Sequence, residues 1–288
     1  MKTQNLLMAA FCILISVSCG PRTDKEYLSD VLQKMNKVES VSYKVVRQAW
    51  LPGEKDPVYT ITSEVYEHIN PQDTAIGSSF VEFQDNAFRG VYDGKVSSYV
   101  YEEEGEKWIR EDDFTTKSPL PFRMVMPEFF YYTQSILKYA ITTQDSIELS
   151  LKDLGDDYLM ELTIHMPVQV EFFGKARYMP QNPYVYDPTS VYKIWISKKD
   201  DMPYRYRREM EGNMNEASCS DFIYNPVDKE CIVATNYYPE GFEIVKKRQR
   251  SSKPTVDMTG KKAPDWTLTD MKGQKVSLSG IKSKVILL

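Results

Sequence analysis

Four cysteines, two histidines and a few acidic clusters are the residues of this 288-residue chain whose types could carry chemistry. Cys12 and Cys19 fall in the opening stretch, while Cys219 and Cys231 lie 12 positions apart. That spacing is not the C-x-x-C that places a low-pKa thiolate at a helix start with a resolving partner beside it. In an exported chain the pair predicts a structural disulfide, worth about 3 kcal/mol for so short a loop; two free thiols are the alternative. His68 and His165 each end a run of strand-like residues, and neither has zinc-ligand partners at the right spacing. Asp112 and Asp113, and Asp153, Asp156 and Asp157, cluster without the spacing of a calcium loop. There is no glycine-rich phosphate loop, and neither histidine stands in a nucleophile–base motif. The residues thus predict no catalytic group, no metal and no cofactor.

The composition supports a globular core: 42% of residues are hydrophobic and 12% aromatic. A net charge of −5 argues against a nucleic-acid partner, which calls for a basic face. The long apolar run, Leu6 to Val17, follows Lys2 and is too short to span a bilayer, which needs ~20 residues. It ends in Ser16-Val17-Ser18-Cys19-Gly20, which resembles the lipobox of bacterial lipoproteins, with Ser16 where leucine is usual. The resemblance implies a lipoprotein signal peptide over residues 1–19 and lipidation of Cys19. It also implies a membrane as partner through the lipidated N-terminus, and a place in the bacterial cell envelope facing periplasm or exterior. An ordinary cleaved signal is the alternative.

The elements that must position these residues follow from periodicity. Leu28, Val31, Leu32 and Met35 form one helical stripe, with Thr23 or Asp24 able to cap it. From Val41 the period becomes two. Tyr59, Ile61, Ser63 and Val65 share one strand face, and Phe80–Phe83 is a further strand. Phe88–Tyr92 and Val96–Tyr101 flank Asp93-Gly94 as a tight hairpin. Further strands are expected at Lys107–Arg110, Ser146–Leu151, Tyr158–His165, Val168–Phe173, Val191–Ser197, Tyr204–Met210, Ser220–Tyr224, Ile232–Tyr238 and Phe242–Lys247. Residues 119–139 are dense in apolar side chains without alternation. A helix running from Pro127 to Tyr139 is expected there, either as buried core or as a flap whose Phe122, Met126, Phe129, Phe130 and Leu137 line an apolar cavity. Tyr178–Pro188 reads as a surface loop, and the basic stretch from Lys246 to Pro254 as a linker. The fold class is α+β, mostly antiparallel β: a curved, unclosed-barrel sheet over one or two helices.

Two family resemblances follow. The first joins Tyr27–Met35 and Val41-Ser42-Tyr43-Lys44-Val45 to Tyr92-Asp93-Gly94-Lys95-Val96, Tyr192–Ser197 and Met202-Pro203-Tyr204-Arg205. These segments resemble the lipoprotein-carrier and lipoprotein-sorting superfamily, which implies one such domain over residues 24–247 and an apolar cavity between sheet and helices. The second rests on Gly260, Ala263, Pro264, Trp266, Leu268 and Gly273, followed by Lys284-Val285-Ile286-Leu287-Leu288. This stretch resembles the start of TlpA-like thiol–disulfide oxidoreductases and their peroxiredoxin relatives, with Trp266 for the usual phenylalanine and Ser283 for the usual glycine. It implies a linker over 248–259 and an incomplete thioredoxin-like segment over 260–288. Residues 285–288 read as a strand buried on both faces, and so short a segment cannot bury a core alone; the sequence is therefore expected to be truncated. The resemblance further implies disulfide exchange with a protein thiol client in the envelope, with the catalytic Cys-x-x-Cys half lacking and the given chain inactive. The alternative function is a carrier-like module that binds a hydrophobic ligand or a lipoprotein without enzymatic activity.

Overall fold

A computed structural model describes residues 22–70, 72–103, 105–115, 125–181, 187–226, 231–246, 260–261, 265–269 and 272–282. Cys19, Phe122, Ala263, Pro264 and residues 283–288 lie outside the described residues. The chain divides into two compact units, 1–247 and 248–288.

The first unit opens with α1 (Asp24–Met35). Thr23 caps it: its hydroxyl accepts the Glu26 amide proton, and the Glu26 carboxylate accepts the Thr23 amide proton. Tyr27, Leu28, Val31, Leu32 and Met35 form its buried stripe. Six strands follow: β1 (Ser40–Trp50), β2 (Tyr59–Ile69), β3 (Ser78–Gln84), β4 (Ala87–Tyr92), β5 (Val96–Glu103) and β6 (Glu106–Asp113). At the β4–β5 turn the Asp93 carboxylate accepts the amide protons of Lys95 and Val96, and Gly94 takes φ +90°. Helix α2 (Phe129–Thr142) starts two residues after Pro127, with Glu128 as its cap residue.

After α2 come β7 (Ile147–Asp153), β8 (Asp157–Ile164), the short pair β9 (Val170–Phe172) and β10 (Ala176–Tyr178), then β11 (Ser190–Ser197), β12 (Met202–Met210), β13 (Asn213–Tyr224) and β14 (Glu243–Lys246). Twelve strands form one large curved sheet in the order β14-β6-β5-β4-β3-β2-β1-β13-β12-β11-β8-β7. Neighbours are antiparallel except β14, which runs parallel to β6. The sheet does not close, and β9 and β10 form a separate pair.

Period-two alternation sorts each strand onto two faces. On the inner face Tyr43, Val45, Val65, Phe80, Tyr92, Met160, Ile194 and Ala217 join both helices in the main core. On the outer face Tyr66, Val81 and Val91 pack with Ile232 and Ala234 in a smaller cluster. The strand expected over Ile232–Tyr238 is instead an irregular strap with one 3-10 turn, Ala234–Tyr237. The strap lies flat on the outer face rather than joining the ladder. There the Asp93 carboxylate accepts the Ala234 amide proton, and Tyr238 bonds to Ser98 and Glu111.

In the second unit, β15 (Thr267–Thr269) and β16 (Lys275–Ser277) form an antiparallel hairpin. Gly273 takes φ +78° in its turn, and the Asp265 carboxylate accepts from both the amide and hydroxyl of Ser279. Trp266 is half-buried and Leu268 exposed, and Gly260 lies in a turn before the hairpin. No helix among the described residues is long and apolar enough to cross a membrane.

Candidate functional site

The tight turn between β11 and β12 and the end of β13 enclose a cleft. Asp221 adopts φ +56°, and the β1–β13 register shifts between Ser42 and Lys44. This bulge inserts one residue and changes the phase of the strand. Cys219 before it, and Phe222 and Tyr224 after it, therefore all reach the inner face, while Ile223 is exposed. A second irregularity, where Ile196 pairs with Pro203, places the proline at the start of β12, where its missing N–H costs little.

The cleft measures about 300 Å³. Met202, Pro203, Cys219, Phe222 and Tyr224 give it an apolar floor, and Asp157, Ser197, Asp200 and Tyr204 a polar rim. The Phe222 and Tyr224 rings stack at 5.6 Å with an interplanar angle of 10°. Behind them stand two rings of α2: Phe129 lies 6.1 Å from Phe222, and Phe130 6.2 Å from Tyr224. At the rim the Tyr204 hydroxyl donates to Asp157 at 2.9 Å. The Tyr224 hydroxyl is buried and has no hydrogen-bond partner among the described residues. Burial pushes its pKa up, so it stays a neutral donor. An apolar floor with one unsatisfied donor suits a small apolar group that carries an acceptor.

A second, more polar cleft of about 430 Å³ lies at the start of α1, between Arg22, Tyr27, Tyr158 and Lys198. Of its charges, Lys198 pairs with Asp153 within the cleft and Arg22 with Asp30 beside it.

Farther along the inner face a buried charged cluster holds the start of α2. Arg47 of β1 pairs with Glu82 of β3 at 2.8 Å and with Glu128. The cap residue Glu128 makes no side-chain bond to its own helix. Glu67 of β2 does that instead, accepting the amide protons of Phe130 at 3.2 Å and Tyr131 at 3.1 Å and the Tyr43 hydroxyl at 3.0 Å. Burial, then the neighbouring Glu128 charge, raises the Glu67 carboxyl from 4.5 to about 8. Burial also raises Glu128, against the pull of Arg47. A second buried pair, Glu171 of β9 with Arg208 of β12, ties those two strands together. Sequence reading missed these groups. The available signal was a charge in apolar phase: Glu67 falls two positions after Val65, and Arg47 two after Val45.

The Cys219–Cys231 disulfide expected from the cysteine count is not formed; both thiols are free. The reason is the two-faced sheet. Cys219 is buried on the inner face, whereas Cys231 is exposed on the strap, next to Ile232 of the outer cluster. Of the expected cavity-lining residues, Phe129, Phe130 and Leu137 are buried in the main core, the two phenylalanines as a second layer behind the cleft. Met126 is 52% exposed and lies apart from them. His165 pairs with Glu148 at 3.2 Å, near the surface. Among the described residues no group of three or more His, Cys, Asp or Glu side chains could hold a metal ion.

Fold and site together define an α+β protein whose large unclosed antiparallel sheet wraps two helices, with a small apolar cleft at one end of its inner face. No protein-family model matches the sequence, and no curated protein matches it. Similar solved structures include the Mycobacterium tuberculosis lipoprotein LppX, at 9% identity over 72% of this chain and 99% of that one, with a TM-score of 0.32. Pseudomonas aeruginosa MucB, solved with MucA, is 11% identical over 88% of this chain and 75% of that one, with a TM-score of 0.31. A LolA superfamily protein from Nitrosomonas europaea is 8% identical over 74% of this chain and 97% of that one, with a TM-score of 0.23. Similarity at this level assigns neither ligand nor activity to the chain.

Proposed function

We propose that residues 24–247 are a non-enzymatic binding module for an apolar ligand, such as an acyl chain, tethered in the bacterial envelope through a lipidated Cys19. The observation that carries this reading is the cleft over Phe222 and Tyr224: apolar at its floor, backed by Phe129 and Phe130, and holding one buried hydroxyl that has no partner among the described residues. Burying an acyl chain there removes apolar surface from water at about 25 cal/mol per Å². A carbonyl or hydroxyl on the ligand satisfies Tyr224 and removes the cost of leaving it unpaired. Native mass spectrometry after gentle extraction tests the reading. A reproducible bound mass of lipid size supports it, and a reproducibly empty protein counts against it.

A second reading concerns residues 260–288. We infer that they begin a thioredoxin-like domain; the support is the Gly260–Gly273 motif and the β15–β16 hairpin where the family resemblance calls for one. The coding sequence beyond Leu288 tests it. Codons for Trp-Cys-x-x-Cys support a redox partner domain, and their absence in every frame ends the idea.

A further inference from the structure

The first turn of α2 is tied to the sheet by a carboxyl that is not its own. A helix start leaves its first amide protons without intrahelical partners, and here Glu67 takes those of Phe130 and Tyr131 while Glu128 is turned to Arg47. We propose that Glu67 is a proton-dependent latch: protonated, it fastens the start of α2 to β2, and loss of the proton releases that turn. The inference is independent of the ligand proposed above.

Charge balance is the physical reason. Among the described residues, the groups that face Glu67 or its neighbours are Tyr43 and Arg47 from β1, Asp73 before β3, Glu82 from β3, Glu128 and Tyr131 from α2, and Cys219 from β13; Tyr99 from β5 and Tyr206 from β12 face Arg47 and Glu128, and burial keeps both neutral. Burial holds the protons on Tyr43, Tyr131 and Cys219, so these stay neutral. The Arg47 guanidinium, the one that faces this cluster among the described residues, is already engaged by Glu82 and Glu128. Among the described residues a charge on Glu67 therefore has amide and hydroxyl donors but no cation of its own, and it stands against the charge on Glu128 in a buried site that screens it weakly. A neutral carboxyl avoids that cost: its carbonyl oxygen still accepts one amide proton strongly, its hydroxyl oxygen accepts the other weakly, and its own proton points to the Tyr43 oxygen.

The sign follows from linkage. Closed, Glu67 titrates at about 8; open to water, it returns towards 4.5. The latch is fully closed below the lower value. Opening then grows by up to about tenfold per pH unit and levels off above the upper one.

Amide hydrogen exchange on the full chain, from about pH 5 to about pH 9 and corrected for base catalysis of exchange itself, tests this. Protection of Phe130 and Tyr131 is expected to fall by up to about tenfold per unit and then flatten, and Glu67→Gln is expected to abolish the slope. Flat protection in the native chain overturns the proposal. So does an equal fall at Ile194 in β11, which assigns the proton release to global unfolding. A folded Glu67→Gln variant that keeps the slope also overturns it. The native-chain measurement decides the matter even if the variant fails to fold.

Discussion

Glu67 accepts the amide proton of Phe130 at 3.2 Å, across 63 positions of sequence. A strand thus caps a helix, and the cap also fixes where the helix sits. The same turn that Glu67 holds carries Phe129 and Phe130, the second layer of the apolar cleft. The polar cluster and the cleft are therefore two consequences of one anchored helix start.

Arg47 bridges Glu82 and Glu128, the one cation between them among the described residues, and its side chain is only 25% exposed. Arg47→Met takes the guanidinium away from two buried carboxylates, and breaking such a pair from one side costs about 3 kcal/mol. Urea unfolding should show that loss at pH 8. The loss should shrink towards pH 5, because burial already raises Glu128 and proton uptake then removes the unpaired charge. Adding Glu128→Gln should restore much of the stability, a coupling that a double-mutant cycle measures.

The two downstream cysteines should differ sharply towards an alkylating reagent. Cys231 is exposed and should react in the native state. Cys219 is buried, and burial pushes its thiol well above the usual range, so its thiolate is scarce at neutral pH. It should react only on unfolding. Peptide mapping that found the two joined by a disulfide would contradict the two-faced arrangement.

Thr23 caps α1 through its hydroxyl. Thr23→Ala should cost about 1 kcal/mol, read as a lower thermal midpoint with an unchanged fold. Thr23→Ser should restore most of it, since the accepting oxygen returns.

Much of the architecture is legible in the sequence. The stripe Leu28, Val31, Leu32 and Met35 becomes the buried face of α1, and Asp93-Gly94 turns the β4–β5 hairpin. Period-two runs give most of the strands. Three features are not legible, each for a physical reason. The first half of β13 carries Asn213, Asn215 and Glu216, whose polarity hides a strand that is held by its neighbours β1 and β12. Ile232 and Ala234 look like strand residues because they are buried, yet they bury against an outer face rather than within a ladder. The bulge at Asp221 brings Cys219, Phe222 and Tyr224 to one side, and strict alternation assigns Cys219 and the two aromatics to opposite faces. The candidate site depends on that bulge, so periodicity alone leaves it undetected.

The cleft itself is tested most directly by equilibrium titration of the intact protein with a fluorescent polyene fatty acid. Three proteins suffice: the native chain, Phe222→Ser on the cleft floor, and Ile223→Ser on the exposed neighbour. Saturable binding at one site is predicted, weakened by at least about tenfold in Phe222→Ser and unchanged in Ile223→Ser. Absence of saturable binding, or equal affinity in all three, would contradict an apolar binding site at this cleft.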